Sequence, residues 1–463
     1  HHSQNQKKNM NSPLIISISG IRGIVGKSLT ADVVHRFAAA YATTLKKGER
    51  VVIARDTRPS GAEFAASAAA ALSTAGCTVV DCGVCTTPAA KLMVLELRAG
   101  AAIIITASHN PSDWNGLKLV RSDGIFLNTA QASDVEARFQ SGDQQSVSGG
   151  SITVFDPSDV ARIHTKRVLQ CIDVEAIRRA NFRVVVDPCN GTGATNLPDL
   201  LTKLGVTYVF INEEPNGEFA HEPEPVPVNL LELGDAVRNY KADIGFAVDP
   251  DADRVALVGV DGSPLGEDLT LALAVTSITN KRQGPVVTTL STSQTVTDAA
   301  TRNNCPVYLT PVGEVHVVEK MLAESAVIGG EGNGGVILTE VDPGRDAAVG
   351  IAVILEAMAT QNSSLEGLVN SLPSYFIEKR KIACRSDQLD WTVAAIRERH
   401  ASSWIHPVSD GYKLYLTKEQ TCPWIHLRAS NTEPFVRIIA ETESQDRSRI
   451  LCDETEDLIR KSP

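Results

Sequence analysis

Asp249-Pro250-Asp251-Ala252-Asp253-Arg254 sets three carboxylates at alternate positions, directly after the apolar run Ile244 to Val248. In an extended chain residues i, i+2 and i+4 share one face, so these carboxylates converge and repel unless a cation joins them. Hard oxygen ligands suit Mg2+. A calcium EF-hand is excluded, because Arg254 stands where its glycine belongs and Val260 where its glutamate belongs. A solvated acidic turn fits poorly between flanks as apolar as Ile244–Val248 and Val255–Val260. Three carboxylates leave coordination positions open, and a phosphate oxygen can fill one.

A second candidate is Thr106-Ala107-Ser108-His109-Asn110-Pro111, which follows the apolar run Ala101 to Ile105. Pro111 turns Asn110 away from helical geometry, so the segment is a loop. Ser108 is either a nucleophile facing a cleft or an ordinary turn serine. Lys118 follows shortly after, and Arg55-Asp56-Thr57-Arg58 forms a cationic loop at the end of another strand, where ligands favour parallel sheets. Arg428-Ala429-Ser430-Asn431-Thr432 gathers a guanidinium, two hydroxyls and an amide, with Arg437 beyond; such donors suit a phosphate dianion. Gly329-Gly330-Glu331-Gly332-Asn333-Gly334-Gly335 lacks the Gly-Lys-Ser/Thr ending of a P-loop. It is either a flexible loop or a close-approach loop in which Glu331 and Asn333 hold sugar hydroxyls.

These residues need strands to carry them. Strand, loop, helix and returning strand recur three times, starting at Val51, at Phe182 and at Gly284. Each copy reads as a βαβ unit with a right-handed crossover. After about residue 372 the pattern changes to strands at Lys379–Cys384, Trp424–Leu427 and Phe435–Glu441, with helices at Trp391–His400 and Gln445–Lys461. The expected division is 10–150, 151–258, 259–372 and 373–463. The Ser- and Gly-rich segment Ser141–Ser151 reads as an exposed loop. Ala31 to Lys47 reads as a helix opened by Thr30.

The chain has 463 residues, enough for roughly two to four domains. A net charge of −11 argues against a nucleic-acid-binding surface. The longest apolar run, Val349 to Met358, is too short to span a bilayer, so no membrane partner is expected. An odd count of 9 cysteines suggests a reducing compartment, hence the cytoplasm. Cys82-Gly83-Val84-Cys85 has no second pair for zinc and reads as packing.

Taken in order, the serine, carboxylate, glycine and phosphate loops resemble those of the α-D-phosphohexomutase family, over the span Ser19 to Arg437. The resemblance implies three similar α/β domains with mixed sheets plus a smaller α+β C-terminal domain around a central cleft. It implies that Ser108 carries a phosphoryl group and joins Asp249, Asp251 and Asp253 as a metal ligand. Lys118 and His109 are its candidates for the general base, with Arg22 as a cation that could lower the lysine pKa. Arg254, Glu331, Asn333, Arg428, Ser430, Asn431, Thr432 and Arg437 would contact a hexose phosphate. Mg2+ is the implied cofactor, a glucose or hexosamine 1,6-bisphosphate the activator, and a monomer or homodimer the expected assembly. Two departures stand out. Gly335 replaces a histidine common in bacterial members, with His316 a weak substitute, and Pro250 replaces a glycine. The Glu-Gly-Asn-Gly-Gly form is similar to that of phosphoglucosamine or dual-specificity mutases. A phosphoglucosamine mutase is therefore the first expectation and a phosphoglucomutase/phosphomannomutase the second. A Mg2+-dependent sugar phosphatase is the alternative from another class, and a non-catalytic sugar-phosphate binder ranks last.

Overall fold

The computed structural model describes residues 13–400, 404–408, 411–430 and 434–463. The chain forms two compact units. One takes the residues up to Thr270 together with Gly334–Glu366, the other Leu271–Asn333 together with Gly367–Pro463.

The first unit holds a seven-stranded sheet in the order Ile15–Ser17, Gly20–Ile24, Trp114–Arg121, Ala101–Ile105, Arg50–Arg55, Thr78–Val84, Ser151–Val154. Ala101–Ile105 and the three strands after it pair in parallel, and the remaining pairings are antiparallel, so the sheet is mixed. Ala101–Ile105 and the middle of Arg50–Arg55, Val51 to Ala54, are apolar at every position because both faces are covered. Val51, Ile53, Ala101, Ile103 and Ile105 enter one cluster, while Val52, Ala54, Ala102 and Ile104 enter another on the opposite face. Cys82 and Cys85 belong to the second cluster, and burial, then the charge of Asp81, pushes the Cys82 thiol up to about 12. The pair is packing, as expected.

Thr30 caps the helix Ala31–Ala42 by accepting from Val33 N, but the helix stops short of Lys47. The hydroxyls of Thr43 and Thr44 donate to the carbonyls of Ala40 and Tyr41 at 2.6 and 2.7 Å, and the backbone N–H groups of Thr44 and Leu45 turn to the carbonyls three residues back. The segment after Ser141 is exposed and leads into the edge strand Ser151–Val154.

The unit's second sheet runs Val255–Val258, Ile244–Val248, Arg183–Asp187, Thr207–Phe210, parallel except for its first pair. Gly334–Glu366 contributes the helix Ala347–Thr360, buried along nearly its whole length. The apolar run seen in the sequence is therefore a core helix, and its one acid, Glu356, accepts from Asp173 N at 2.5 Å. No described helix is long and apolar enough to cross a membrane.

In the second unit, Val307–Thr310, Val286–Thr289 and Ile328–Glu331 lie parallel in that order. A five-stranded antiparallel sheet follows, Phe376–Ala383, Phe435–Thr442, Trp424–Ala429, Gly411–Tyr415, Trp404–Val408, with the helices Ser386–Arg399 and Gln445–Lys461. Glu441 links the two sheets. It accepts from Ser293 Oγ at 2.5 Å, Gln294 N at 2.7 Å and Trp424 Nε1 at 2.9 Å. Three tandem α/β domains and a smaller α+β domain thus follow one another along the chain.

The proline-rich loop around Glu222–Pro227 is tied down by His221, whose Nε2 lies 2.7 Å from Asp187 Oδ2 and whose Nδ1 lies 2.7 Å from the Glu222 carbonyl. Both nitrogens donate, so the ring is an imidazolium. Burial lowers its pKa, but the bond to Asp187 and then the contact with Cys189 outweigh this and raise it to about 11. The raised pKa means the staple contributes fully below the unfolded value of about 6.5 and fades as pH climbs toward the folded one. The melting temperature should therefore fall between about pH 7 and about pH 10, and fall less steeply in His221→Gln. Thermal melts of both proteins across that range check this; parallel slopes would refute the assignment.

Candidate active site

Ser108 follows the central strand Ala101–Ile105 and is held in a left-handed conformation, φ 49°. For a residue with a Cβ this costs about 1–3 kcal/mol and needs support from its surroundings. Arg58 supplies it. Its guanidinium donates to the carbonyls of Ser108 and Asn110, each at 2.8 Å, of Pro111 at 2.7 Å and of Trp114 at 2.9 Å. Asp56 fixes Arg58 through Nε at 3.1 Å, accepts the Thr106 hydroxyl at 2.6 Å, and Thr106 in turn accepts from Ser108 N at 2.9 Å. Arg58 and Asp56 are 1% and 0% exposed, so water does not compete for these bonds. The cationic loop noted in the sequence thus shapes the serine loop from beneath.

The carboxylate loop comes to Ser108 from the second sheet. Asp249 Oδ1 accepts from the N–H groups of Asp253 and Arg254, both at 3.1 Å, which closes the turn. Asp249 Oδ2 lies 3.5 Å from Ser108 Oγ and 3.2 Å from Arg254 Nε. Asp251 Oδ2 accepts from Lys118 Nζ and from Thr87 Oγ1, each at 2.7 Å. Asp253 Oδ2 accepts from Arg345 Nη2 at 2.6 Å. All three carboxylates are buried, and one oxygen from each lies within 4.8 Å of the others. Burial, then the charges of Asp253 and Asp251, hold Asp249 well above the usual carboxylate range. Burial works on Asp253 in the same direction, but Arg345 and then Lys118 overcome it and keep that carboxyl well below the range.

Three polar atoms in this cluster are buried and make no hydrogen bond to the described residues: Asp251 Oδ1, Asp253 Oδ1 and Arg254 Nη2. Such groups are costly unless something outside the chain satisfies them. Two bare carboxylate oxygens suit a divalent cation, and a bare guanidinium nitrogen suits an anion. The donor set therefore fits the metal expected from the sequence.

Lys118 is buried and also lies 3.9 Å from Asp253. Arg22 Nη1 donates to Asn110 Oδ1 at 2.8 Å and so braces the serine loop. Burial, then Arg254 and Arg22, lower the His109 imidazole to about 3, which leaves it neutral. Ser108, His109, Lys118, Arg22, Arg254 and the three aspartates all lie in the first unit.

Glu331, Asn333, Arg428, Ser430 and Arg437 lie in the second unit. Glu331 is buried and accepts from Gly313 N at 3.0 Å; a Cβ on Gly313 would stand 3.3 Å from the His316 ring. Arg428 faces Arg437 directly across the sheet, and Arg437 faces Lys381. Three cations in one cross-strand row repel each other and favour an anion over them. Ser430 N donates to the Phe435 carbonyl at 2.8 Å and closes the loop's base. Asn431 and Thr432 lie outside the described residues.

Sequence reading missed three members of these clusters. Thr87 and Arg345 contact the aspartates from distant segments, and Lys381 joins the arginine row only through strand register. The Thr86-Thr87-Pro88 cap and the Pro343-Gly344-Arg345-Asp346 turn were the available signals, and both look like ordinary punctuation.

Three family profiles tile the chain in order: phosphoglucomutase/phosphomannomutase alpha/beta/alpha domain I over residues 15–146, domain II over 162–262 and domain III over 266–376. The chain belongs to the α-D-phosphohexomutase superfamily. It is similar to the phosphoglucomutase/phosphomannomutase of Thermococcus kodakarensis, with 34% identity over 93% of this chain and 95% of that protein. It is also similar to the phosphoglucosamine/phosphogalactosamine mutase of Sulfurisphaera tokodaii, with 31% identity over 96% of this chain and 99% of that one. Among solved structures, a phosphoglucomutase/phosphomannomutase family protein from Burkholderia thailandensis matches with TM-score 0.82 and 26% identity, covering 97% of this chain and 98% of that one. This superfamily member is accordingly an enzyme of the phosphohexomutase class.

Arg58 is a sharp test of how the serine is positioned. Lysine keeps the charge but cannot reproduce the planar fork. Arg58→Lys should lower turnover by about 100-fold, as a misplacement of about 1 Å does, with KM little changed. Steady-state kinetics with the melting temperature as a folding control check this.

Proposed function

We propose that the enzyme interconverts hexose 1-phosphate and hexose 6-phosphate through a phosphoserine at Ser108 and a 1,6-bisphosphate, and that its substrate is glucosamine phosphate. The observation that carries the phosphoryl-transfer reading is the set of orphaned buried atoms beside Ser108: two carboxylate oxygens and one guanidinium nitrogen. Mg2+ bound by Asp249, Asp251, Asp253 and the Ser108 phosphate would neutralise charge that builds on the transferring group.

The chain's own residues do the rest. Arg58 aims Ser108 and Arg254 Nη2 donates to a phosphoryl oxygen. The substrate hydroxyl that receives the phosphoryl group loses its proton to a base. His109 is neutral and so free to accept it, although burial, Arg254 and Arg22 make it a weak base. Lys118, whose Nζ lies 2.7 Å from Asp251 Oδ2, is the other candidate. The bisphosphate then reverses, and its other phosphoryl group returns to Ser108. A hexose 1,6-bisphosphate supplied from outside would load a bare serine, hence its role as activator.

The row Lys381, Arg437 and Arg428, with Ser430, Asn431 and Thr432, suits the phosphate that is not transferred. A phosphatase has no need of such a second anchor, and this favours the mutase. Glu331 and Asn333 would hold sugar hydroxyls in both orientations. The amino-sugar preference rests on the Glu331-Gly332-Asn333-Gly334-Gly335 form and on the name of the Sulfurisphaera relative. The Thermococcus relative's name supports the alternative, dual specificity for glucose and mannose phosphates. The enzyme is expected in the cytoplasm.

Coupled assays with glucosamine, glucose and mannose 1-phosphates, each with its bisphosphate, test the reading. The highest kcat/KM is expected for glucosamine 1-phosphate, and Ser108→Ala should lose at least about 1,000-fold on every substrate. Near-normal turnover in Ser108→Ala would end the proposal. Release of inorganic phosphate without isomerisation would replace it with the phosphatase reading.

A further inference from the structure

Each carboxylate of the metal loop has a cation of its own. Arg254 serves Asp249 from within the loop, at 3.2 Å. Lys118 serves Asp251 from the strand Trp114–Arg121, at 2.7 Å. Arg345 serves Asp253 at 2.6 Å and comes from 92 residues further along the chain. Each carboxylate thus meets a cation before any ligand is considered, and Asp253 also has Lys118 and Arg254 at 3.9 Å.

Arg345 is delivered by a strap, Asp342 to Ala347, that is anchored at several points in the first unit. Lys91 Nζ donates to the Pro343 carbonyl at 2.9 Å. Asp346 N donates to the Val336 carbonyl at 2.9 Å, and Asp346 Oδ2 lies 2.6 Å from His164 Nε2. Asp346 Oδ1 caps the helix Ala347–Thr360 by accepting from Ala348 N at 2.9 Å. Ala347 N then donates to the carbonyl of Ala252, inside the metal loop, at 3.1 Å. Lys91, Asp346 and Asp342 are 0%, 1% and 1% exposed, so the strap is part of the core. The Arg345 side chain is itself only 15% exposed, which leaves its pair with Asp253 weakly screened.

We propose that Arg345 is a resident counter-cation of the metal loop: it grips Asp253 by Oδ2, leaves Oδ1 free for a divalent cation, and weakens binding of that cation by repulsion. The inference rests on the reading of Asp249, Asp251 and Asp253 as a divalent-cation site. A fixed guanidinium and a dication that share one carboxylate oppose each other in a poorly screened setting. With Arg345 beside Lys118 and Arg254 the loop therefore stays balanced and folded without a bound cation, and it holds that cation less tightly than it would without Arg345. The role is positioning and electrostatic, with no contact to the reacting atoms required.

The test is direct titration of the full-length protein with Mn2+, following the free ion by electron paramagnetic resonance. Arg345→Gln, which keeps a donor for Asp253, and Arg345→Met should each bind Mn2+ about tenfold more tightly than the native protein. Arg345→Lys should stay within about twofold of native, since it keeps the charge. In EDTA the two neutral variants should melt at lower temperature, with a larger rise on adding Mn2+ than the native protein shows. A merely structural role would loosen the loop and weaken binding, so a gain in affinity separates the two accounts. Unchanged or weaker Mn2+ binding in folded Arg345→Gln overturns the proposal. Asp249→Asn tells the two readings apart. If it abolishes Mn2+ binding while Arg345→Gln brings no gain, only the role of Arg345 falls. If it binds like the native protein, or the native protein binds no Mn2+, the metal-site reading falls and takes Arg345 with it.

Discussion

The first unit's chemistry depends on one buried guanidinium. Arg58 takes up four backbone carbonyls of the segment from Ser108 to Trp114 and ties the loop to one buried group. The loop itself satisfies the carbonyls of Ala107 and Pro111, through Asn110 N and Trp114 N, but offers no such donor to those of Ser108 and Asn110. A planar, permanently charged fork of donors reaches both, and its charge is balanced by Asp56 at 3.1 Å. The same contacts that make the loop affordable also fix where the serine oxygen points. Positioning and stability are here one interaction, and the strain at Ser108 is held by it.

Around that clamp the charges are arranged in pairs. Aspartates 249, 251 and 253 would be unstable together in a low-dielectric interior, and each is met by a cation from a different part of the first unit. What the pairing leaves over is informative. Among the described residues two carboxylate oxygens and one guanidinium nitrogen remain without a hydrogen bond, and their chemistry is complementary to a divalent cation and a phosphate. In the second unit Lys381, Arg437 and Arg428 stand in one cross-strand row.

How much of this could be read from the chain depends on distance along it. The three aspartates were legible because one strand and one turn carry all of them. Ser108 was legible as a loop residue, but its strained backbone was not, since nothing in Thr106–Pro111 announces a positive φ. Arg58 lay within a loop already marked as cationic, yet its partners are decided by how two strands end side by side. Thr87 and Arg345 were invisible because they meet the aspartates only through packing of remote segments. Lys381 joins Arg437 and Arg428 only once the register of three strands is known. The helix after Thr30 was placed at its start by a cap and misjudged at its end, where two threonine hydroxyls compete for carbonyls.

The way the chain is divided has a consequence for biosynthesis. Neither unit is one continuous stretch: Gly334–Glu366 returns to the first after Leu271–Asn333 has gone to the second. The metal loop therefore leaves the ribosome 92 residues ahead of Arg345, with a segment of the other unit made in between. Domains commonly fold as they emerge, amino-terminal part first. The nascent first unit lacks Arg345 and the buried helix Ala347–Thr360 until the intervening segment has been made. Completion of the first unit thus has to follow the synthesis of part of the second.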